Sequence, residues 1–365
     1  MNWYELDNSD TIDSPALLVY KERVQQNIKH AVEMIRDINL LRPHVKTNKT
    51  AEVCAMMMDA GITKFKCATI AEAEMLAMLH AKDVLMAYQP IGPKTKRLLT
   101  LVQQYPQTTF GCVVDNIDTA KALAELFSAN NKTIHVFIDL NTGMNRSGIK
   151  PSNAFALAEQ LISLPGIQFK GLHAYDGHLR DTDLAQRQQK SDSAFNEVLE
   201  LATKIETITQ QPLIIVAGGS PTFPTHINRH IECSPGTFVY WDWGYKHQVP
   251  DEPFDYAALV LTRVISIVNE QTITTDLGHK SVAAENPFPR VHFLNAPDVT
   301  AISQSEEHLV LKVADSNAFK VGDVLYGVPV HICPTVALYE KAVVVENNEA
   351  VLTWKIVARD RAINV

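Results

Sequence analysis

The sequence predicts an α/β protein in two parts: a (β/α)8 barrel of the TIM type over residues 14–250, then a mostly antiparallel β domain over 251–365, to which 1–13 could also belong. Three observations predict this. Short β-branched runs alternate with helix-periodic stretches up to about residue 220, one strand–helix unit every 25–45 residues or so, the pattern of parallel strands joined by right-handed crossovers. The runs number about eight, enough to close a barrel rather than leave an open sheet. Beyond residue 250 the helical periodicity stops and strand-like runs follow one another.

In order, the barrel runs are PALLVY (15–20), INLLRPHVKT (38–47), TKFKCAT (63–69), DVLMAYQP (83–90), TTFGCVVD (108–115), TIHVFIDL (133–140), IQFKGLHAY (167–175) and PLIIVAGG (212–219). Helical periodicity fills the gaps, as in ERVQQNIKHAVEMIRDI, AEAEMLAMLHA and DTAKALAELFSA. Thr69 and Glu72 read as a capping box opening one helix, and Asp115 as the cap of another. The segment WDWGYKHQVPDEPFD (241–255) reads as the boundary. After it come DYAALVLTRVISIVN, QTITTDLG, PRVHFLNA, EEHLVLKVA, DVLYGVPVHIC and EAVLTWKIVARD, all read as strands.

Composition removes several function classes. Of 365 residues, 46% are hydrophobic and 20% charged, which suits a packed core. A net charge of −8 without a basic run argues against nucleic acid as a partner. No run approaches the ~18 apolar residues of a membrane span, so no membrane partner is expected. Five scattered cysteines form no disulfide framework, and the acidic N-terminus carries no signal peptide, so the expected location is the reducing cytoplasm.

Barrel chemistry sits at the carboxyl ends of the strands. Those ends offer His44, Lys46, Thr69, Gln89, Asp115, Asp139, Arg146, His173, Tyr175, His178, Gly218, Gly219 and Ser220, with no nucleophile elbow among them. Lys46 reads either as part of a solvated basic turn with Arg42, His44 and Lys49, or as a desolvated, nucleophilic amine facing the barrel mouth. Gly218-Gly219-Ser220-Pro221-Thr222 follows an apolar run, and Ser234-Pro235-Gly236-Thr237 is a second such turn; exposed amides and hydroxyls of this kind suit a phosphate. Neither turn is a Walker loop or a dinucleotide fingerprint. Read as a strand, His331-Ile332-Cys333 would project imidazole and thiol from one face toward a metal; the alternative is a buried cysteine beside an unrelated histidine.

The segments SPALLVY (14–20), RPHVKT (42–47), ATIAEAE (68–74), DLNTGMNRSG (139–148), GLHAYDGH (171–178), AGGSPT (217–222), SPGTFVYWD (234–242) and HICPT (331–335), in this order, resemble the D-threonine aldolase and D-serine dehydratase family. These are fold type III pyridoxal-phosphate enzymes related to the alanine racemase barrel. The resemblance spans nearly the whole chain, and its most specific motifs are RPHVKT and HICPT.

The resemblance implies that Lys46 binds pyridoxal 5′-phosphate covalently and then acts as a base at the substrate α-carbon. Gly218, Gly219, Ser220, Gly236 and Thr237 would surround the phosphate, Arg146 would approach the ring 3-oxygen, and Tyr175 would face the ring nitrogen. His331 and Cys333 would bind a divalent metal directed at the substrate's β-hydroxyl; a thiolate favours zinc, with manganese as the alternative. Asp181 stands where the aldolase pattern carries a histidine, so His178 becomes the second acid–base candidate. The implied activity is metal-assisted cleavage of D-3-hydroxy amino acids to glycine and an aldehyde, in a homodimer. The alternative is dehydration of D-serine or D-3-hydroxyaspartate to ammonia and a 2-oxo acid. An amino-acid racemase would leave His331 and Cys333 without a purpose, and a non-catalytic cofactor carrier would need no β domain.

Overall fold

The structure, a computed structural model, describes residues 2–365. Its strands are β1 (Ala16–Tyr20), β2 (Lys64–Cys67), β3 (Asp83–Met86), β4 (Thr109–Val114), β5 (Ile134–Asp139), β6 (Ile167–His173), β7 (Ile214–Ala217), β8 (Glu232–Cys233), β9 (Ala258–Asn269), β10 (Thr272–Thr275), β11 (Val291–Phe293), β12 (Thr300–Gln304), β13 (Leu309–Lys312), β14 (Val324–Pro329), β15 (Lys341–Glu346) and β16 (Glu349–Lys355). Helices α1 (Lys21–Ile35), α2 (Ala51–Asp59), α3 (Ile70–Met78), α4 (Pro93–Gln104), α5 (Ile117–Ala129), α6 (Pro151–Ile162), α7 (Leu184–Thr209), α8 (Phe223–His226), α9 (Trp243–Gln248) and α10 (Ile332–Val336) complete the set used below. The chain forms two compact units. One comprises 31–46, 54–236 and 360–365; the other comprises 1–30, 47–53 and 237–359.

The first unit is the expected barrel. Strands β2 to β8 pair in sequence order, every pair parallel. Residues 41–45 stand between the two ends of this sheet. Leu41 bridges Cys233 and His44 bridges Lys66, both parallel. The Arg42 N–H donates to Cys233 O (2.8 Å), and the Val45 N–H donates to Lys66 O (2.9 Å). Pro43 has no N–H to donate, so this eighth place is held by isolated bridges instead of a regular ladder.

Inside the barrel, Leu85, Val113, Phe137 and Val216 form an apolar layer. A charged layer accompanies it. Arg42, fully buried, bonds Asp83 (2.6 Å) and Glu232 (2.5 Å), and Lys64 also bonds Glu232. Burial opposes a charged guanidinium here, but the two carboxylates outweigh it and hold the Arg42 pKa above its ordinary value. These bridges tie the irregular closing segment to β2, β3 and β8.

The eight strands are not all those expected. PALLVY forms β1, which belongs to the other unit, pairing antiparallel with β9 and parallel with β15. All five of its residues are buried. Its place in the barrel ring goes to the two-residue β8, too short to register as a periodic run.

The second unit is built on a sheet ordered β12-β13-β10-β9-β1-β15-β16, with β14 pairing both β9 and β11. Apart from β1 with β15, every pair is antiparallel. β12 and β15 were not expected. HIC is not a strand: β14 ends at Pro329, and His331 caps the short helix α10.

Thr69 caps α3 as expected, its hydroxyl accepting from the Glu72 N–H (3.1 Å). Glu72 reaches back to the Ala68 N–H (2.6 Å), one residue beyond the ordinary capping box. For α5 the cap is Asn116, not Asp115; its side chain accepts from the Thr119 N–H (2.9 Å). Asp115 accepts instead from the Gly148 N–H (3.3 Å), tethering the loop after β5. Among the described residues no helix is long and apolar enough to cross a membrane, and no disulfide forms.

Candidate functional site

At the carboxyl end of the barrel strands, two loops converge on Tyr175. The loop 139–148 folds back on itself, Leu140 bridging Ile149 and Asn141 Oδ1 accepting from the Gly143 and Asn145 N–H groups. It carries Arg146, whose guanidinium lies 5.1 Å from the centre of the Tyr175 ring. From another side the Lys66 ammonium stands 5.5 Å from the same ring. Gly177 and Gly219 lie against the ring. A Cβ on Gly219 would fall 2.7 Å from Tyr175 Cε2, and one on Gly177 would fall 2.1 Å from the hydroxyl oxygen. Gly177 of GLHAYDGH and Gly219 of AGGSPT are therefore required by the closeness of the tyrosine.

Gly218 has φ +67°, the left-handed turn out of β7 that glycine adopts without strain. Ser220 Oγ accepts from the Gly236 N–H (3.2 Å), joining the two predicted phosphate turns. Thr222 is engaged elsewhere, donating to Asp176 Oδ1 (2.6 Å). Ser234 Oγ is buried without a hydrogen-bond partner. Lys46 directly follows the segment that closes the barrel; it is half-buried, and its N–H meets His44 Nδ1 at 3.3 Å. His178 is exposed, its ring placed so that a Cβ on Gly143 would fall 2.9 Å from Nε2.

Two buried carboxylate–imidazole pairs lie at this mouth. Asp139, ending β5, bonds His173 Nδ1 (2.7 Å) and accepts from the Ser147 hydroxyl (2.9 Å). Asp176 bonds His226 Nε2 (2.7 Å), while Arg229 donates to His226 Nδ1 (2.7 Å). Burial opposes ionisation of both carboxyls, yet their imidazole and hydroxyl partners outweigh it and lower both pKa values. His173 is pushed down by burial and by the nearby Lys66 and Arg146 charges.

Sequence reasoning missed Lys66, Asp176 and His226. Lys66 is completely buried, and desolvation together with the adjacent Lys46 charge lowers its pKa to about 7. Its neighbours in the charge balance are Asp176, Asp139 and Arg42. The sequence leaves Lys46 either solvated or desolvated; the structure half-buries it, and the fully buried amine is Lys66. The available signal was strand parity, since Lys64 and Lys66 share a face of β2.

In the β unit His331 and Cys333 do meet, though not by strand alternation. His331 is extended at the N-cap of α10, Cys333 lies in the first turn, and the two side chains hydrogen-bond. Asp242 Oδ2 accepts from the Ile332 N–H (3.1 Å), fixing that helix start. Glu285 Oε1 lies 2.5 Å from His331 Nδ1, leaving Nε2 as the atom for a ligand, the usual arrangement of a metal-binding histidine. Burial works against a charged His331, but Cys333 and Glu285 outweigh it and raise its pKa to about 9. Cys333 Sγ lies 3.1 Å from Thr47 Oγ1 and 3.5 Å from Thr237 Oγ1. Among the described residues no group of three or more histidine, cysteine, aspartate or glutamate side chains could hold a metal ion. The donors fit a divalent ion with two protein ligands and open positions.

The amine, hydroxyl and amide groups of the barrel mouth suit pyridoxal phosphate. Two buried polar atoms there, Ser234 Oγ and His173 Nε2, lack the partners that buried groups normally have. The description "Alanine racemase, N-terminal domain" matches residues 19–242, more than half of the chain. The chain belongs to the alanine racemase N-terminal domain family. A second description, "Putative serine dehydratase domain", matches residues 257–345.

Within the alanine racemase-like proteins, the 3-hydroxy-D-aspartate aldolase of Paracoccus denitrificans (strain Pd 1222) is 26% identical, over 98% of this chain and 94% of that protein. The D-threonine aldolase of an Arthrobacter species is 26% identical over 95% and 93%. The crystal structure of D-threonine aldolase from Filomicrobium marinum superposes with a TM-score of 0.89 at 24% identity, covering 98% of each chain. The barrel-plus-β fold of the alanine racemase-like proteins and the family resemblance drawn from the motifs are thereby confirmed.

Proposed function

We propose that the protein is a pyridoxal-phosphate-dependent lyase that cleaves a D-3-hydroxy amino acid between Cα and Cβ, releasing glycine and an aldehyde, as D-threonine aldolase does. The observation that carries this reading is the pairing of His331 with Cys333, backed by Glu285, in a chain whose barrel also carries Lys46 and two phosphate-type turns joined by Ser220 and Gly236. A racemase would give that pair no task. Full-length similarity to aldolases of D-3-hydroxy acids supports the same reading.

Bound pyridoxal phosphate supplies an electron sink for the bond broken at the α-carbon. Lys46 is the amine that would attach the cofactor, and the same amine would hold or move a proton at Cα. The Ser220 hydroxyl and the Gly219 amide, with Thr237, would hold the phosphate, and the Gly236 N–H, which donates to Ser220 Oγ, would position that hydroxyl. Arg146 supplies positive charge toward the ring oxygen and the substrate carboxylate. Tyr175, seated on Gly177 and Gly219, has its ring close to two cations and would orient the cofactor. His178, exposed at the mouth, exchanges protons with solvent.

A divalent ion on His331 and Cys333, zinc by the softness of the thiolate, would acidify the substrate β-hydroxyl. The alternative, dehydration of D-serine or D-3-hydroxyaspartate, is favoured by Cys333 and by the serine dehydratase match over 257–345. We also take the working form to be a cytoplasmic homodimer, to be checked by sedimentation.

Incubating the purified protein with D-threonine and D-serine decides between the readings. Acetaldehyde and glycine from D-threonine are expected. Ammonia with 2-oxobutyrate or pyruvate would replace the aldolase by the dehydratase, and bound cofactor without any turnover of D-3-hydroxy acids would sink both.

A further inference from the structure

His173 is the last residue of β6, directly opposite Asp139 at the end of β5. Phe137 faces the barrel interior, so Asp139, two residues on, faces the same way. Asp139 is ionised and accepts the Nδ1 proton at 2.7 Å, with Ser147 holding its other oxygen. That fixes the imidazole tautomer: the proton is on Nδ1 and Nε2 is a bare lone pair. His173 is only 5% exposed, and Nε2 has no hydrogen-bond partner. A buried acceptor left empty is costly, and native structures rarely keep one without a use.

The surroundings identify the use. The groups that face His173 are Asp139, Lys66 and Arg146, and Lys66 and Arg146 are the same two cations that flank the Tyr175 ring. Neither cation donates to Nε2. His173 thus shares both cations with the Tyr175 ring, and we assign the lone pair to the space around that ring, where our functional reading puts the cofactor ring. The ring's nitrogen and 3-oxygen are the two positions on it that can carry a proton.

We propose that His173, oriented by Asp139, is a further catalytic residue of this site, its Nε2 accepting a hydrogen bond from a protonated atom of the bound pyridine ring. The inference rests on the proposed cofactor. Its chemistry is separable from that of Lys46, which engages the aldehyde, and from that of Ser220, which engages the phosphate. A neutral imidazole acceptor takes up the ring proton's hydrogen bond without adding charge to a mouth that already holds Lys46, Lys66 and Arg146.

The test uses the full-length apo-protein and two probes. One is 4-deoxypyridoxine 5′-phosphate, which keeps the ring nitrogen, 3-hydroxyl and phosphate but lacks the aldehyde; the other is inorganic phosphate. His173→Phe should weaken the ring probe by about tenfold or more and leave phosphate binding unchanged. His173→Gln, whose amide oxygen can accept, should recover part of the loss. Asp139→Asn can donate to Nδ1 and move the proton to Nε2, so it should resemble His173→Phe. With pyridoxal phosphate itself, His173→Phe should also shift the pH dependence of the bound cofactor's visible absorption.

Wild-type affinity for the ring probe in His173→Phe would overturn the inference while leaving the proposed cofactor standing. Equal loss of ring probe and phosphate would also overturn it, since it would reveal a merely structural histidine. Failure of the wild-type protein to bind the ring probe would overturn both readings.

Discussion

The Lys66 ammonium nitrogen stands 5.5 Å from the centre of the Tyr175 ring, in a barrel position with no access to solvent. A buried amine of this kind, with a second lysine beside it, keeps its proton only at a cost. That cost has a direction in pH.

Desolvation and the Lys46 charge lower the Lys66 pKa to about 7, far below its value in the unfolded chain. Below pH 7 both states are protonated and the folded protein carries the full penalty, on the order of a few kcal/mol. Between pH 7 and the ordinary lysine range the unfolded chain holds the extra proton, so stability rises with pH. Lys66→Met should therefore raise the melting temperature most near pH 6 and lose that advantage near pH 10. An equal gain at both pH values would show that the lysine's charge is not what costs stability.

Lys46→Ala should abolish the visible absorbance of the cofactor adduct and the product trapped by borohydride, while phosphate still binds. An adduct that persists would move the attachment point, and Lys66 would be the first residue to examine.

Gly219 has no backbone need for glycine, yet its missing Cβ makes room for Tyr175 Cε2 at 2.7 Å. Gly219→Ala should displace the tyrosine, cost about 1–3 kcal/mol and weaken cofactor binding. The double variant Gly219→Ala with Tyr175→Ala should lose less than the sum of the two single changes. Simple additivity in melting and cofactor titration would mean that the two do not meet.

Arg42 holds Glu232 and Asp83 across the gap that the closing segment fills. Arg42→Met leaves Asp83 without this partner and Glu232 with Lys64 alone, and should destabilise by about 3–5 kcal/mol. Urea denaturation measures this. A loss below 1 kcal/mol would mean that the barrel closes without the charged layer.

Chelation, or Cys333→Ser, should reduce turnover strongly while leaving the cofactor's absorbance in place. Unchanged turnover after thorough metal removal would exclude a metal role for His331 and Cys333.

The barrel was readable because parallel strands buried on both faces are mostly apolar runs, as β3, β4, β5 and β7 are, while β2 and β6, interrupted by lysines, were readable from their place in the strand–helix alternation. β8 was not readable, since Glu232 and Cys233 carry no period. PALLVY has the pattern of a barrel strand, and nothing local distinguishes that from its real position between β9 and β15. Of the site, Lys46, the glycine turns, Arg146 and HICPT were legible as motifs. Lys66 was not, because one charged residue in a short strand looks the same whether it faces solvent or a barrel interior.

By itself, then, the amino-acid sequence determined the fold class, the family and the residue types available for chemistry, because hydrophobic period and motif order are local properties of the chain. Only the tertiary structure decided which charges are buried together. It placed Lys66 within reach of Tyr175, oriented His173 through Asp139, and brought Glu285 to His331 from 46 residues away. The physical reason is desolvation: an amine or imidazole changes its chemistry when water is removed and particular partners remain, and the fold alone determines both.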